Sequence, residues 1–225
     1  MRANKSNYIT SKAHFIERLN ALGFKRKDMN DFTAKMNDAD LKICVTHSTY
    51  YIPHVRFYSM AFSVMYPKVF ELLDLINNRM VELTGNRIGT GYSPCLYSVS
   101  GHLMQPKRFQ QWKVAESDDE AYIEKIVQEM CDVAENLAMP LFERYSKLEN
   151  VMNDLMHNEM KLGYEWEALP PIVYTLFDRK ELARDYLQKR LQKTIEFNEQ
   201  NDGKTQRVVD EYNFYIKAFE EILRE

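Results

Sequence analysis

Glycine and proline are scarce in this chain, at seven residues each in 225. Long flexible linkers are therefore not expected, and no stretch has the composition of collagen, of a continuous coiled coil or of a disordered tail. Cysteine is scarcer still. Cys44, Cys95 and Cys131 are odd in number, far apart, and form no CxxC pair. They read as reduced thiols of a cytosolic protein, serving as small core residues. Long hydrophobic runs are also missing, since apolar stretches break within a few residues, short of the roughly 20 needed to span a bilayer. The first eight residues carry no apolar segment behind their charges, so a secretory signal is not expected. A cytoplasmic location without a membrane anchor is the expectation.

The motifs of catalysis are absent as well. The five histidines, His14, His47, His54, His102 and His157, never pair at helical spacing, and there is no HExxH. There is no GxSxG elbow. Gly85, Gly89 and Gly91 match neither a P-loop nor GxGxxG, and read as a loop. Two weak pairs remain. His47 and His54 fall on neighbouring expected strands, and Cys95 precedes His102 by seven residues without an evident third group. No catalytic residue, metal or cofactor is assigned.

What is present is enough apolar material for a core, 45% of the chain. The length suits one domain, or one with a helical appendage. The net charge of −3 conceals an asymmetry. Residues 1–110 hold 15 Lys and Arg against 8 Asp and Glu, a balance of +7, while residues 111–225 hold 15 against 25, a balance of −10. An acidic face open to a basic partner is one reading, and ordinary helical surface composition is the other.

Periodicity divides the chain in the same place. A first helix is expected from Ser11, with Phe15, Ile16, Leu19 and Leu22 on one face and Gly23 as its stop. A hairpin follows, turning at residues 28–31. Leu41, Ile43 and Val45 alternate with Lys42, Thr46 and Ser48, the period of a half-buried strand. Residues 55–64 read as a second strand with poor alternation, either covered on both faces or bulged. Pro67 opens a helix, and strands are expected at 97–100 and 109–114. From Ser117, a capping box with Glu120, the period becomes helical until Pro140 breaks it. Further helices are expected at 148–156, 171–199 and 205–224, the last two forming an αα-hairpin at Asn201-Asp202-Gly203. The fold class is α+β: an N-terminal helix, an antiparallel sheet of four to six strands with a packed helix, then a helical half. Residues 1–168 form the α+β domain, and the hairpin of 169–225 packs on it as one structural unit.

Two clusters are candidate partner-binding surfaces. His47, Tyr50, Tyr51, His54, Arg56, Phe57 and Tyr58 crowd a dozen residues, shortly after Lys25, Arg26 and Lys27. Basic and aromatic residues on one sheet suit single-stranded nucleic acid, but no RNP motif accompanies them and the pI near 6.0 argues against a dedicated binder. Tyr and Arg are also enriched at protein interfaces. Among these, Tyr50, Tyr51, His54, Arg56 and Tyr58 are the candidates, together with the acidic cluster Glu116, Asp118, Asp119 and Glu120.

A resemblance accompanies this pattern. Leu22-Gly23-Phe24-Lys25-Arg26, then Phe32, a strand at Trp112-Lys113-Val114, and Pro140-Leu141-Phe142-Glu143 at the end of a long helix resemble a widespread family of uncharacterised bacterial proteins. The likeness spans residues 12–157. Proteins of such families are similar in size and context to the immunity proteins that accompany bacterial toxins, and the family offers no catalytic residue to carry over. It implies an α+β fold and no enzyme. The expectation is a non-enzymatic bacterial interaction protein with a protein partner, an immunity-type inhibitor of a basic toxin being its specific form. The alternatives are an enzyme with an unrecognised pocket and a weak nucleic-acid-binding module.

Overall fold

The structure is a computed structural model and describes residues 9–49, 52, 54–85, 95–164 and 168–224. It is α+β, as the periodicity predicts. Contacts group the chain into two units. The first takes in residues up to Met65, Leu96–Lys147 and Lys161–Gly163, and the second takes in Tyr66–Cys95, Leu148–Met160 and Tyr164 onward.

The first unit is built on the sheet. After a helical turn at Ile9–Ser11 come α1 (Ala13–Ala21), β1 (Lys25–Arg26), β2 (Asp31–Met36), β3 (Ala39–Ser48) and β4 (Val55–Met65). The expected turn between β1 and β2 is fixed by Asp28, whose Oδ1 accepts from the backbone N–H of Asn30 at 2.8 Å and of Asp31 at 2.9 Å. Asn37, at a φ of 48°, turns β2 into β3. β3 and β4 then pair without interruption from Asp40↔Met65 to Ser48↔Phe57. The poor alternation of β4 is thus no bulge. Tyr58, Met60, Phe62 and Val64 are buried on one face, while Phe57, Ser59, Ala61, Ser63 and Met65 are half-buried on the other.

β5 (Cys95–Val99) continues the sheet, α3 (Ser100–Leu103) follows, and β6 (Trp112–Ala115) pairs antiparallel with the first residues of β4. The strand path is β1-β2-β3-β4-β5-β7, with β7 at Gly163–Tyr164 and β6 beside β4. The strand expected from Phe109 begins only at Trp112, and Phe109 is 82% exposed. Hydrophobicity without a register partner does not make a strand.

The core face is covered by helices. Phe15 of α1 meets Phe32 edge-on, with ring centroids 5.5 Å apart. Phe142, on α5 (Met139–Tyr145), lies 6.2 Å from Phe62 and 5.6 Å from Phe24. α4 (Glu120–Val133) runs across β6, where Trp112 Nε1 donates to Glu129 Oε2 at 3.2 Å. Its start differs from the expected capping box. Asp119, not Ser117, is the N-cap and accepts from the Tyr122 N–H at 2.8 Å. Asp118 already turns the chain by accepting from the Ala115 N–H at 2.6 Å, which moves the helix start two residues on. Pro140 does not end the helix either. The segment Ala134–Ala138 widens to a π-helix ahead of it, and the proline sits in the first turn of α5, where its missing N–H costs little.

The second unit is helical: α2 (Pro67–Thr84), α6 (Leu148–His157), α7 (Leu169–Leu176), α8 (Lys180–Gln200) and α9 (Gln206–Arg224). The helix expected over 171–199 is two helices, because Asp178 adopts a φ of 55° between α7 and α8. α8 and α9 form the expected hairpin. Buried Asn198 fixes its turn, accepting from the Thr205 N–H at 2.9 Å and donating to Gln206 at 2.9 Å. α2 packs on α9 through its buried stripe of Val69, Leu73, Ile76 and Met80, with Arg79 3.5 Å from Glu221.

The two faces of β4 make separate stability predictions. Phe62→Ala removes a fully buried ring that contacts Phe142 and is expected to cost about 3–5 kcal/mol in urea unfolding. Ser59→Ala, which removes an exposed 2.9 Å hydrogen bond to Thr46, is expected to cost under about 1 kcal/mol. Equal costs would contradict this assignment of faces.

Candidate functional site

The core row of β3 and β4 changes character at one end. Leu41, Ile43 and Val45 face Val64, Phe62 and Met60, but the next pair is His47 with Tyr58. Their rings lie 5.8 Å apart. Two residues further along β4, on the same face, is Arg56. β6 pairs alongside, with Arg56 opposite Val114 and Tyr58 opposite Trp112. His54, at a φ of 62°, extends this pairing by accepting the Glu116 N–H on its carbonyl at 2.9 Å.

The result is a recess of about 110 Å³ lined by His54, Arg56, Tyr58, Val114, Ala115, Glu116, Asp118 and Ile123. Five of the nine expected partner-binding residues meet there: His54, Arg56, Tyr58, Glu116 and Asp118. Tyr50 and Tyr51 lie outside the described residues. Asp119 caps α4, and Glu120 pairs with Lys12 of α1; neither lines the recess. Val114, Ala115 and Ile123 were not singled out from sequence, because apolar residues flanking a site look like any other core positions.

The polar groups are not equivalent. His54 Nδ1 donates to Glu116 Oε2 at 3.0 Å. Asp118 is held by the Ala115 N–H. Arg56, by contrast, makes no hydrogen bond or ion pair among the described residues, although it is only partly exposed. It acts instead on its neighbour. Burial, and then the charge of Arg56, hold His47 below the ordinary histidine value of about 6.5. An arginine, two carboxylates and a tyrosine ring beside Val114, Ala115 and Ile123 are groups suited to recognition by charge and shape.

The acidic stretch of α4 has an internal role. Glu120, Glu124, Gln128 and Asp132 recur every four residues, on one helix face. Lys12 pairs with Glu120, and His14 Nδ1 donates to Glu124 at 3.2 Å. Arg18 reaches Gln128 at 3.0 Å, Asp132 at 3.3 Å, and Glu135. Part of the contrast between the halves is therefore neutralised between α1 and α4.

The basic and aromatic residues that are neighbours in sequence are separated by the strand period. Tyr58 and His47 lie on the core face. Lys25 pairs with Thr33, and Thr33 with Lys42, on the opposite face. His47 lies opposite Tyr58, whereas His54 precedes β4, four residues before Tyr58. Cys95 opens β5, and His102 lies on α3, which follows that strand directly. Among the described residues, no group of three or more His, Cys, Asp or Glu converges as a metal site would require. Nor is any described helix long and apolar enough to cross a membrane.

In comparisons with family models, with curated proteins and with solved structures, nothing matches this chain. The likeness over residues 12–157 rests on its short motifs alone.

Two measurements check the electrostatics. His47 is expected to titrate below 6.5 by NMR and to move up toward 6.5, though not fully, in Arg56→Gln, since burial remains. Its contribution to stability is complete above about 6.5 and is lost as pH falls, because the unfolded chain takes up the proton first. A wild-type midpoint at or above 6.5 contradicts this. Burial, with Asp31 adding to it, pushes the Cys44 thiol up to about 12, and burial pushes Cys131 up to about 11. Both are expected to react with iodoacetamide at pH 8 at least about tenfold more slowly than free cysteine.

Proposed function

We propose that the protein is a non-enzymatic bacterial interaction protein that docks a protein partner over the recess between residues 54–58 and 112–118. The observation that supports this reading is the convergence of His54, Arg56, Tyr58, Glu116 and Asp118, from separate parts of the sequence, around one small recess. An arginine and a tyrosine in a partly desolvated hollow with a charged rim have the composition of an interface hot spot. A volume near 110 Å³ is well under the roughly 300–1,000 Å³ of small-molecule pockets and suits one inserted side chain.

The specific form of the reading is an immunity-type inhibitor of a toxin. Its motive is the family likeness and the acidic second half, although the α1 pairing takes up much of the α4 acid. Glu116 and Asp118 put two carboxylates on the lining of the recess, which suits a basic partner surface.

The test is capture of partners from the source organism with wild type, Arg56→Ala and a distant control, Lys189→Ala. One dominant protein should be retained by wild type and the control, with affinity for Arg56→Ala falling about 30-fold, the effect of a 2 kcal/mol hot spot. A partner held equally by all three would place docking elsewhere and sink the proposal.

A further inference from the structure

The partner surface can be specified further, on the premise that the recess is the docking site. Arg56 occupies a core-face register position, continuing the buried row of Tyr58, Met60, Phe62 and Val64. A partly buried charge normally has a counter-charge, because desolvating it alone is unfavourable. Among the described residues the two carboxylates that line the recess have other partners. Glu116 takes the His54 imidazole, and Asp118 takes the Ala115 N–H. On the other side Arg56 faces His47, which is disfavoured from carrying a positive charge, and Tyr58. From α4 the apolar Ile123 closes the wall, with Val114 of β6. Arg56 thus makes no ion pair among the described residues.

We propose that the recess is a carboxylate-recognition pocket, into which an aspartate or glutamate side chain of the partner protein inserts to pair with Arg56. The guanidinium offers a planar fork that matches a carboxylate through two parallel hydrogen bonds. The low-dielectric walls strengthen that pair relative to the same contact on an open surface. Charge argues for a carboxylate over a phosphate. One arginine balances one negative charge, while the carboxylates of Glu116 and Asp118 at the rim repel a dianion more strongly than a monoanion. The same rim favours a partner residue of positive charge next to the inserted one. The complementary partner sequence therefore carries an acidic residue flanked by Lys or Arg.

The probe is N-acetyl-glutamate N-methylamide, titrated at low salt into the full chain with 15N-labelled arginine. The expected result is a saturable shift of the Arg56 Nε–H resonance with a dissociation constant in the millimolar range. Inorganic phosphate should bind at least threefold more weakly, and bound probe should raise the His47 midpoint by offsetting the Arg56 charge. Arg56→Gln should abolish the rise in the His47 midpoint that the probe produces. Should that variant disturb the fold, Arg56→Lys should fold and weaken binding about tenfold, because it keeps the charge and loses the fork. A non-saturating shift, an unchanged His47 response to the probe in Arg56→Gln, or tighter phosphate binding would overturn the proposal. If the probe binds at Arg56 but the captured partner is indifferent to Arg56→Ala, the carboxylate pocket stands and the docking premise falls. If capture depends on Arg56 and the probe does not bind, the premise stands and the carboxylate proposal falls.

Discussion

The antiparallel pairing of β3 with β4 is the constraint on which the first unit depends. Nine consecutive register pairs align Leu41, Ile43 and Val45 with Val64, Phe62 and Met60 on one face. Each such side chain contributes about 1.5–3 kcal/mol on burial. A slip of one residue would turn Lys42, Thr46, Ser59 and Ser63 inward instead, so the register is strongly specified. With it fixed, Phe32 and Phe62 are placed to receive Phe15 and Phe142, and the helices acquire a surface to cover.

The recess is a consequence of where that row ends. Strand pairing continues for three residues beyond the last aliphatic pair, Val45 with Met60, so the core face carries His47, Tyr58 and then Arg56. β6 joins β4 at this end and brings Val114 beside them, and Asp118 turns the chain into α4. Polar residues are held in a structured position by backbone hydrogen bonds that do not depend on their side chains.

Much of the architecture was legible where the period was long and clean. The alternation of Leu41 to Val45 marked β3, and the residues at 28–31 marked the first hairpin turn. Asn201-Asp202-Gly203 marked the α8–α9 turn. The misreadings fell at boundaries. Pro140 looked like a break, yet a π turn accommodates it. Ser117 looked like a cap, yet Asp118 and Asp119 divide the work of turning the chain and starting the helix. No local signal split the expected 171–199 helix, because Asp178 reaches a positive φ in a sequence with good helix formers on both sides. The sequence grouped residues around His54 to Tyr58 and around Glu116 to Glu120 by proximity along the chain, and the fold brings five of them around one recess.

The sequence by itself determined the fold class, the central strands, the main helices and the absence of recognisable catalytic motifs. These depend on local periodicity and residue type, which neighbouring positions carry. The tertiary structure decided which charges are spent and which are left. It set the acidic row of α4 against Lys12, His14 and Arg18, more than a hundred residues away in the chain. It separated Lys25 from Tyr58 by the strand period, and it joined Arg56 to Val114 and Asp118 through the pairing of β4 with β6. Long-range pairing is set by the sum of many weak contacts across the core, so no short stretch of sequence encodes it.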